Sequence, residues 1–127
     1  MVTIGQTCIN FADLDRSLRF YTAGIGLTLV RQVDFNGLHE VVLQGEGRGS
    51  RFQLAYQAEM PVPIEHGTAV RKIYFNVDDC AAAHQRALDA GATSVHEPEN
   101  LDDYPVTYSM IKDPDGHVIE LLEHAGQ

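Results

Sequence analysis

The sequence has only two cysteines, Cys8 and Cys80, too few for a disulfide framework. Basic residues are scarce, nine against eighteen acidic ones, and the net charge is −9. A field of that sign repels nucleic acid backbones and anionic membrane surfaces. No apolar run approaches the roughly 20 residues that span a bilayer, and no low-complexity segment occurs. The opening Met1-Val2-Thr3-Ile4 lacks the basic n-region and apolar h-region of a secretory leader. The expectation is a cytoplasmic, reduced protein with neither nucleic acid nor membrane as partner. What is present is ordinary for a globular domain: 127 residues, 44% hydrophobic and 21% charged. Such a length suits one domain burying about two-thirds of its unfolded surface.

The strongest positive signal is an internal repeat. Thr3–Phe11 reads as a strand, and Asp13 then caps a helix with Leu14, Leu18 and Tyr21 on one face. Gly24 and Gly26 end that helix. Strand-like runs follow at Leu27–Val33, His39–Gln44 and Arg51–Tyr56, the first two joined by the hairpin signal Asn36-Gly37. The order then recurs. Arg71–Val77 is a strand, and Asp79 caps a helix with Cys80, Ala83, Ala87 and Leu88 on one face, closed by Gly91. Runs at Thr93–Glu97, Thr107–Lys112 and His117–Leu122 complete the copy, with the tight turn Asp113-Pro114-Asp115-Gly116 before the last. Sliding the second half back by 66 residues lays Lys72 on Gln6, Val77 on Phe11 and Asp79 on Asp13. The chain thus reads as an α+β fold of two β-α-β-β-β modules. Module one covers residues 1–56, a linker 57–70, and module two 71–127, and neither copy buries its sheet alone.

Two stretches carry a family resemblance. Ile9-Asn10-Phe11-Ala12-Asp13-Leu14-Asp15-Arg16-Ser17-Leu18-Arg19-Phe20-Tyr21, continued by Gly24-Ile25-Gly26-Leu27, resembles the first-module signature of the vicinal oxygen chelate superfamily. Asp113-Pro114-Asp115-Gly116-His117-Val118-Ile119-Glu120-Leu121 resembles its last-module signature. The family includes glyoxalase I, bleomycin-resistance proteins, fosfomycin-modifying transferases, methylmalonyl-CoA epimerase and extradiol dioxygenases. The resemblance implies curled mixed sheets around a cavity, and many small members are homodimers with the cavity at the subunit interface. In the metalloenzymes of the family, one ligand comes from the first and last strand of each module. One fold hosts all these activities, so function must be argued from the site.

The positions matching those ligands carry Gln6, Gln53, Lys72 and Glu120. Alternation along each strand places Gln6, Cys8 and Asn10 opposite Ile9 and Phe11, and Lys72, Tyr74 and Asn76 opposite Ile73, Phe75 and Val77. Glu120 opposes Ile119 and Leu121. Glu120 and the glutamine carbonyls are hard oxygen donors, but a lysine ammonium has three donor protons and no lone pair. A neighbouring carboxylate holds its proton more tightly. The expectation is a cavity in which Lys72 replaces the metal charge, with Gln6, Cys8, Gln53, Lys72, Tyr74 and Glu120 lining a small-molecule site and no cofactor. A divalent metal stays open as the less favoured case. So does a glyoxalase I-like lyase or isomerase (lactoylglutathione lyase type), with Glu120 as proton-transfer base and Lys72 as fixed electrophile. An inert dimeric module is the third reading. An extradiol dioxygenase needs two His and one Glu for iron, and only Glu120 of that set stands in place.

Several residues carry lesser expectations. A nucleophilic Cys8 needs a nearby cation, which Lys72 could supply. Cys80 belongs to the core. His84 is solvent-facing or at the core edge, His66 reaches towards the cavity mouth, and the face of His39 is ambiguous. Tyr56 faces the helices. The segment Pro98–Val106, with Tyr104-Pro105, is a surface loop or a cover over the ligand.

Overall fold

Two four-stranded mixed sheets and two helices form the fold seen in a computed structural model, which describes residues 1–47, 49–103 and 105–125. Strands β1 (Gln6–Asn10), β2 (Thr28–Phe35), β3 (Leu38–Gln44) and β4 (Arg51–Gln57) make the first sheet, in order β1-β4-β3-β2. Strands β5 (Ile73–Asn76), β6 (Thr93–Leu101), β7 (Val106–Lys112) and β8 (Val118–His124) make the second, in order β5-β8-β7-β6. In each sheet the first strand pairs parallel to the last, and the other pairs are antiparallel. A parallel pair needs a crossover, and each module supplies it with a helix after its first strand.

Helix α1 (Leu14–Arg19) starts at Asp13, whose carboxylate accepts the Arg16 amide at 2.9 Å. It continues as a π-helical segment, Phe20–Ile25, which stops at Gly26 in the left-handed region with φ of 103°. Helix α2 (Cys80–Asp89) starts at Asp79, which accepts the Ala82 amide at 3.0 Å. The two helical segments cross closely at Gly24, where an added Cβ would lie 2.7 Å from the Ala90 Cβ. The Arg86 guanidinium donates to the carbonyls of Gly24 and Ile25 there, satisfying the end of the segment. Asn36 and Gly37, both with positive φ, form the β2–β3 hairpin turn that their sequence signals.

The core lies between the helices and one face of each sheet. Val41, Leu43 and Leu54 from the first sheet meet Ile111, Ile119 and Leu121 from the second, with Cys80, Ala83 and Ala87 of α2 among them. Tyr21 stands between the sheets, its ring 5.1 Å from Phe52 and 6.4 Å from Phe75. Phe75, Ile119 and Leu121 stand on the inner face that the alternation in the sequence gives them, and the polar set falls on the opposite, open faces.

The two signature stretches meet at this core and fasten the modules together. Asp113 is buried and accepts the Tyr21 hydroxyl at 2.5 Å and the amides of Asp115 and His117. Asp115 accepts from Arg16 at 2.7 Å, from the Ser17 hydroxyl at 3.2 Å and from the Ala12 amide at 3.3 Å. A buried carboxylate is costly unless hydrogen-bonded, and both are. Most of the resemblance therefore marks a lock between modules rather than a reacting group.

Strand boundaries differ from the sequence reading by a few residues, most at β6. Strand β6 runs on through Pro98 to Leu101, where a loop is expected from the proline. It is an edge strand with register shifts between Ser94 and His96 and between His96 and Glu99. An edge strand with bulges tolerates a residue that cannot donate to a ladder. The connection to β7 shrinks to residues 102–105, and Tyr104, the aromatic expected to cover a ligand, lies outside the described residues. His84 is buried, not solvent-facing, and its Nε2 lies 3.0 Å from the Ser94 hydroxyl. Among the described residues no helix is long and apolar enough to cross a membrane.

Candidate functional site

The open face of the first sheet gathers Gln6, Cys8 and Gln53. The Gln6 side-chain amide donates to the Gln53 carbonyl at 2.5 Å, and Gln53 in turn donates to the Glu40 carboxylate. Register explains the group: Cys8 stands beside Gln53 on the parallel β1–β4 pair, and Gln53 beside Val42 on β3. Gln53 is buried whereas Gln6 and Cys8 are exposed. Glu40 was not legible as a site residue, because it lies on a middle strand and matches no ligand position. Its position opposite buried Val41 in the alternation is the signal that places it on the open face.

Glu40 also decides the state of Cys8. Burial pushes the thiol above its ordinary pKa, and the Glu40 carboxylate pushes it further. No lysine stands by it; Lys72 belongs to the other sheet. Within one chain the Cys8 thiol is thus held towards its protonated form, which is a poor nucleophile.

The open face of the second sheet gathers Lys72, Tyr74 and Glu120. Lys72 lies immediately before β5 rather than within it. Its ammonium donates to Glu120 Oε1 at 2.6 Å and sits 5.1 Å from the centre of the Tyr74 ring. The hydrogen bond to Glu120 is the main reason that the lysine pKa is raised, so the ammonium is firmly protonated. Register sets out a row across all four strands: Tyr74 beside Glu120, Glu120 beside Met110, and Met110 beside His96. At the far end His96 Nε2 lies 3.2 Å from Glu99, and the Tyr108 hydroxyl is 3.3 Å from both. Burial, then Glu99, raises the Tyr108 pKa, and Glu120 and Lys72 act on it with opposite signs. Glu99 was missed because its strand was expected to end at Glu97; His96 lay within the expected strand, and only its pairing with Met110 places it in the row.

The polar set thus falls into two groups, one per sheet. No hydrogen bond or ion pair among the described residues joins Gln6, Gln53 and Glu40 to Lys72 and Glu120. His66 does not join either group. It meets His117 edge to face with ring centres 4.7 Å apart and lies 2.8 Å from the Asp115 carbonyl, at the signature turn.

Within one chain, the four matching positions offer a divalent cation a single carboxylate. Of the four matching positions only Glu120 carries a charge that attracts one, and the Lys72 ammonium already occupies it at 2.6 Å. The Gln53 carbonyl accepts from the Gln6 amide. Among the described residues no three His, Cys, Asp or Glu side chains come together as a metal-binding group. A cation and an ammonium would compete for one carboxylate.

The chain matches known proteins in sequence and in fold. The model for the Glyoxalase/Bleomycin resistance protein/Dioxygenase superfamily fits residues 3–121. A protein of Vibrio cholerae named probable lactoylglutathione lyase is 31% identical over 130 residues, covering 95% of this chain and 93% of that protein. A glyoxalase I of Leishmania major, described as trypanothione-dependent, superposes with a TM-score of 0.80 at 26% identity over 97% of this chain and 87% of that one. Glyoxalase I from Zea mays gives 0.80 at 22% identity over 96% of this chain, which spans 44% of the maize chain. TnmS3, an antibiotic binding protein from Streptomyces sp. CB03234, gives 0.76 at 20% identity over 98% of both chains, a likeness of fold. With its paired β-α-β-β-β modules and a signature lock at Tyr21–Asp113 and Arg16–Asp115, this chain belongs to the glyoxalase, bleomycin resistance protein and dioxygenase superfamily.

Proposed function

We propose that the protein binds a small molecule on the open faces of its sheets, with the Lys72 ammonium as the fixed positive charge where relatives would place a metal. The Lys72–Glu120 pair at 2.6 Å carries this reading. A fixed cation beside a carboxylate and Tyr74 suits a polar ligand with an aromatic or carbonyl part, whose acceptor Lys72 contacts. The antibiotic-binding structural relative is consistent with a binding role for the fold. Each protomer presents half of the polar set on each of two separate faces, and the first strand of the chain, Gln6–Asn10, is exposed along most of its length. We infer that two copies pair so that Gln6, Cys8 and Gln53 of one face Lys72, Tyr74 and Glu120 of the other. Light scattering at micromolar concentration tests the pairing, with twice the 14.0 kDa chain mass expected.

A thermal-shift screen of polar aromatic compounds in a chelator tests the binding. Ligand binding to the native state alone adds about 2.7 kcal/mol at a hundredfold excess over Kd. The shift is expected to persist in chelator and to vanish in Lys72→Met. A shift that appears only when a divalent metal is added contradicts the reading.

The lactoylglutathione lyase relative favours one alternative. In it Glu120 moves the proton next to a carbonyl while Lys72 holds the developing oxyanion. Lactoylglutathione formation, assayed in chelator, separates the two: turnover that falls at least about a hundredfold in Glu120→Gln supports the lyase. No turnover in the wild type leaves the binding reading standing.

A further inference from the structure

The first sheet outruns its helix. On the core face of that sheet a row of side chains crosses all four strands near their ends. Asp34 on β2 pairs with His39 on β3, and His39 pairs with Tyr56 on β4. Phe11, immediately after β1, completes the row, its ring 5.8 Å from that of Tyr56. Further along the same face Val41, Leu43 and Leu54 are buried under the helices. Helix α1 begins only at Leu14; Phe11 is buried at the inner end of the row, and the row opens outward through His39 to the exposed Asp34. The space left is a cavity of about 440 Å³, mostly apolar, with Leu14 and Leu38 as walls. That volume lies in the ordinary range for small-ligand sites. The cavity is on the face opposite to the Gln6–Gln53 group, so it is separate from the site proposed above.

Its polar groups all ask for a donor. Asp34 accepts the His39 Nδ1 proton, and most of the Asp34 side chain is exposed at the rim. In the tautomer that donates from Nδ1, Nε2 carries a lone pair. That atom is buried and has no hydrogen-bond partner. A buried polar atom without a partner is rare and calls for an explanation. An acidic ligand would meet the Asp34 carboxylate and a protein of net charge −9. A protonated amine meets the opposite: a carboxylate at the rim and an attractive field.

We propose that this cavity is a second binding site, for a small primary amine with an aromatic or branched apolar body. The body packs against Tyr56 between Leu14 and Leu38, with the buried Phe11 at the cavity floor. The ammonium donates to Asp34 and, as the His39 ring adjusts, supplies the donor that Nε2 lacks.

Amide-resolved NMR titration with phenethylamine tests the proposal, with 3-phenylpropionate as the control of equal body and opposite charge. Phenethylamine is expected to give saturable shifts at millimolar concentration, centred on Phe11–Leu14 and Gly37–His39. The carboxylate is expected to bind at least about tenfold more weakly. Asp34→Asn, a change at an exposed side chain, is expected to weaken the amine by a similar factor. Leu38→Trp fills the cavity and is expected to abolish the shifts while the remaining spectrum stays folded. No saturable shift with the wild type, equal binding of amine and carboxylate, or an unaltered affinity in Asp34→Asn overturns the proposal. The chelator-resistant ligand of the first site is read separately at Lys72, so failure of one site leaves the other untouched.

Discussion

Replacing Tyr21 by Phe removes one oxygen from the centre of the molecule and leaves every ring contact in place. The ring keeps its edge-on packing with Phe20 at 4.9 Å and its contact with Phe52. What disappears is the hydroxyl that donates to Asp113 at 2.5 Å. Asp113 is 5% exposed and keeps two backbone donors, at 2.9 and 2.8 Å, so its charge is not stranded. A hydrogen bond to a charged group contributes about 1.5–3 kcal/mol. We expect a loss of about 2 kcal/mol in urea unfolding at neutral pH, with an unchanged m-value. In a chain of this size that corresponds to a fall in Tm of roughly 8 °C. The pH dependence gives a second readout. Burial first, then Asp113, raises the Tyr21 pKa well above its ordinary value of about 10. A phenol raised in the folded state contributes its stability in full below the unfolded pKa. Above pH 10 the unfolded chain releases that proton and the folded one holds it. Stability then falls by about 1.4 kcal/mol per pH unit from this group alone. The phenylalanine variant lacks that loss, so the gap between the two proteins should narrow from pH 10 upward. A gap below about 0.5 kcal/mol at pH 7, or one that stays constant to pH 11, refutes the lock.

Other perturbations probe neighbouring parts of the account. Asp115→Ala strips three donors of their acceptor and should cost about 2–3 kcal/mol. Arg16→Ala, whose side chain is 43% exposed, should cost under about 1 kcal/mol in the same urea assay. Gly24→Ala drives a methyl to 2.7 Å from the Ala90 Cβ, and about 1–3 kcal/mol of destabilisation should be relieved in part by adding Ala90→Gly. Cys8, with its thiol raised by burial and Glu40, should be alkylated by iodoacetamide at pH 7.5 more slowly than a free cysteine, as followed by mass spectrometry.

The order of elements was legible because the signals are local. Asp13 and Asp79 cap helices with their own side chains, and Asn36-Gly37 makes its turn within four residues. Alternation gave the faces, so Gln6, Gln53, Lys72 and Glu120 stand on the open sides and Ile119 and Leu121 inside. What failed depends on register between strands. Pro98 reads as a loop residue until its strand is known to be the bulged edge of a sheet. Glu40, His96 and Glu99 enter the site groups only through partners on neighbouring strands. His39 could be placed on neither face because its strand begins next to a turn; pairing with Tyr56 settles it on the core side. The division of the polar set into two groups follows from how the modules pack on Tyr21, a tertiary arrangement that no periodicity encodes.

Elemental mass spectrometry after incubation with excess zinc, nickel, manganese or iron(II), followed by desalting, tests most directly whether Lys72 stands in for a metal. The account predicts no stoichiometric metal in the wild type. Lys72→His, which supplies a neutral ligand and frees Glu120, should bind more than the wild type under the same conditions. One metal per wild-type chain, lost in Glu120→Ala, would contradict the account and show that the ammonium gives way to the cation.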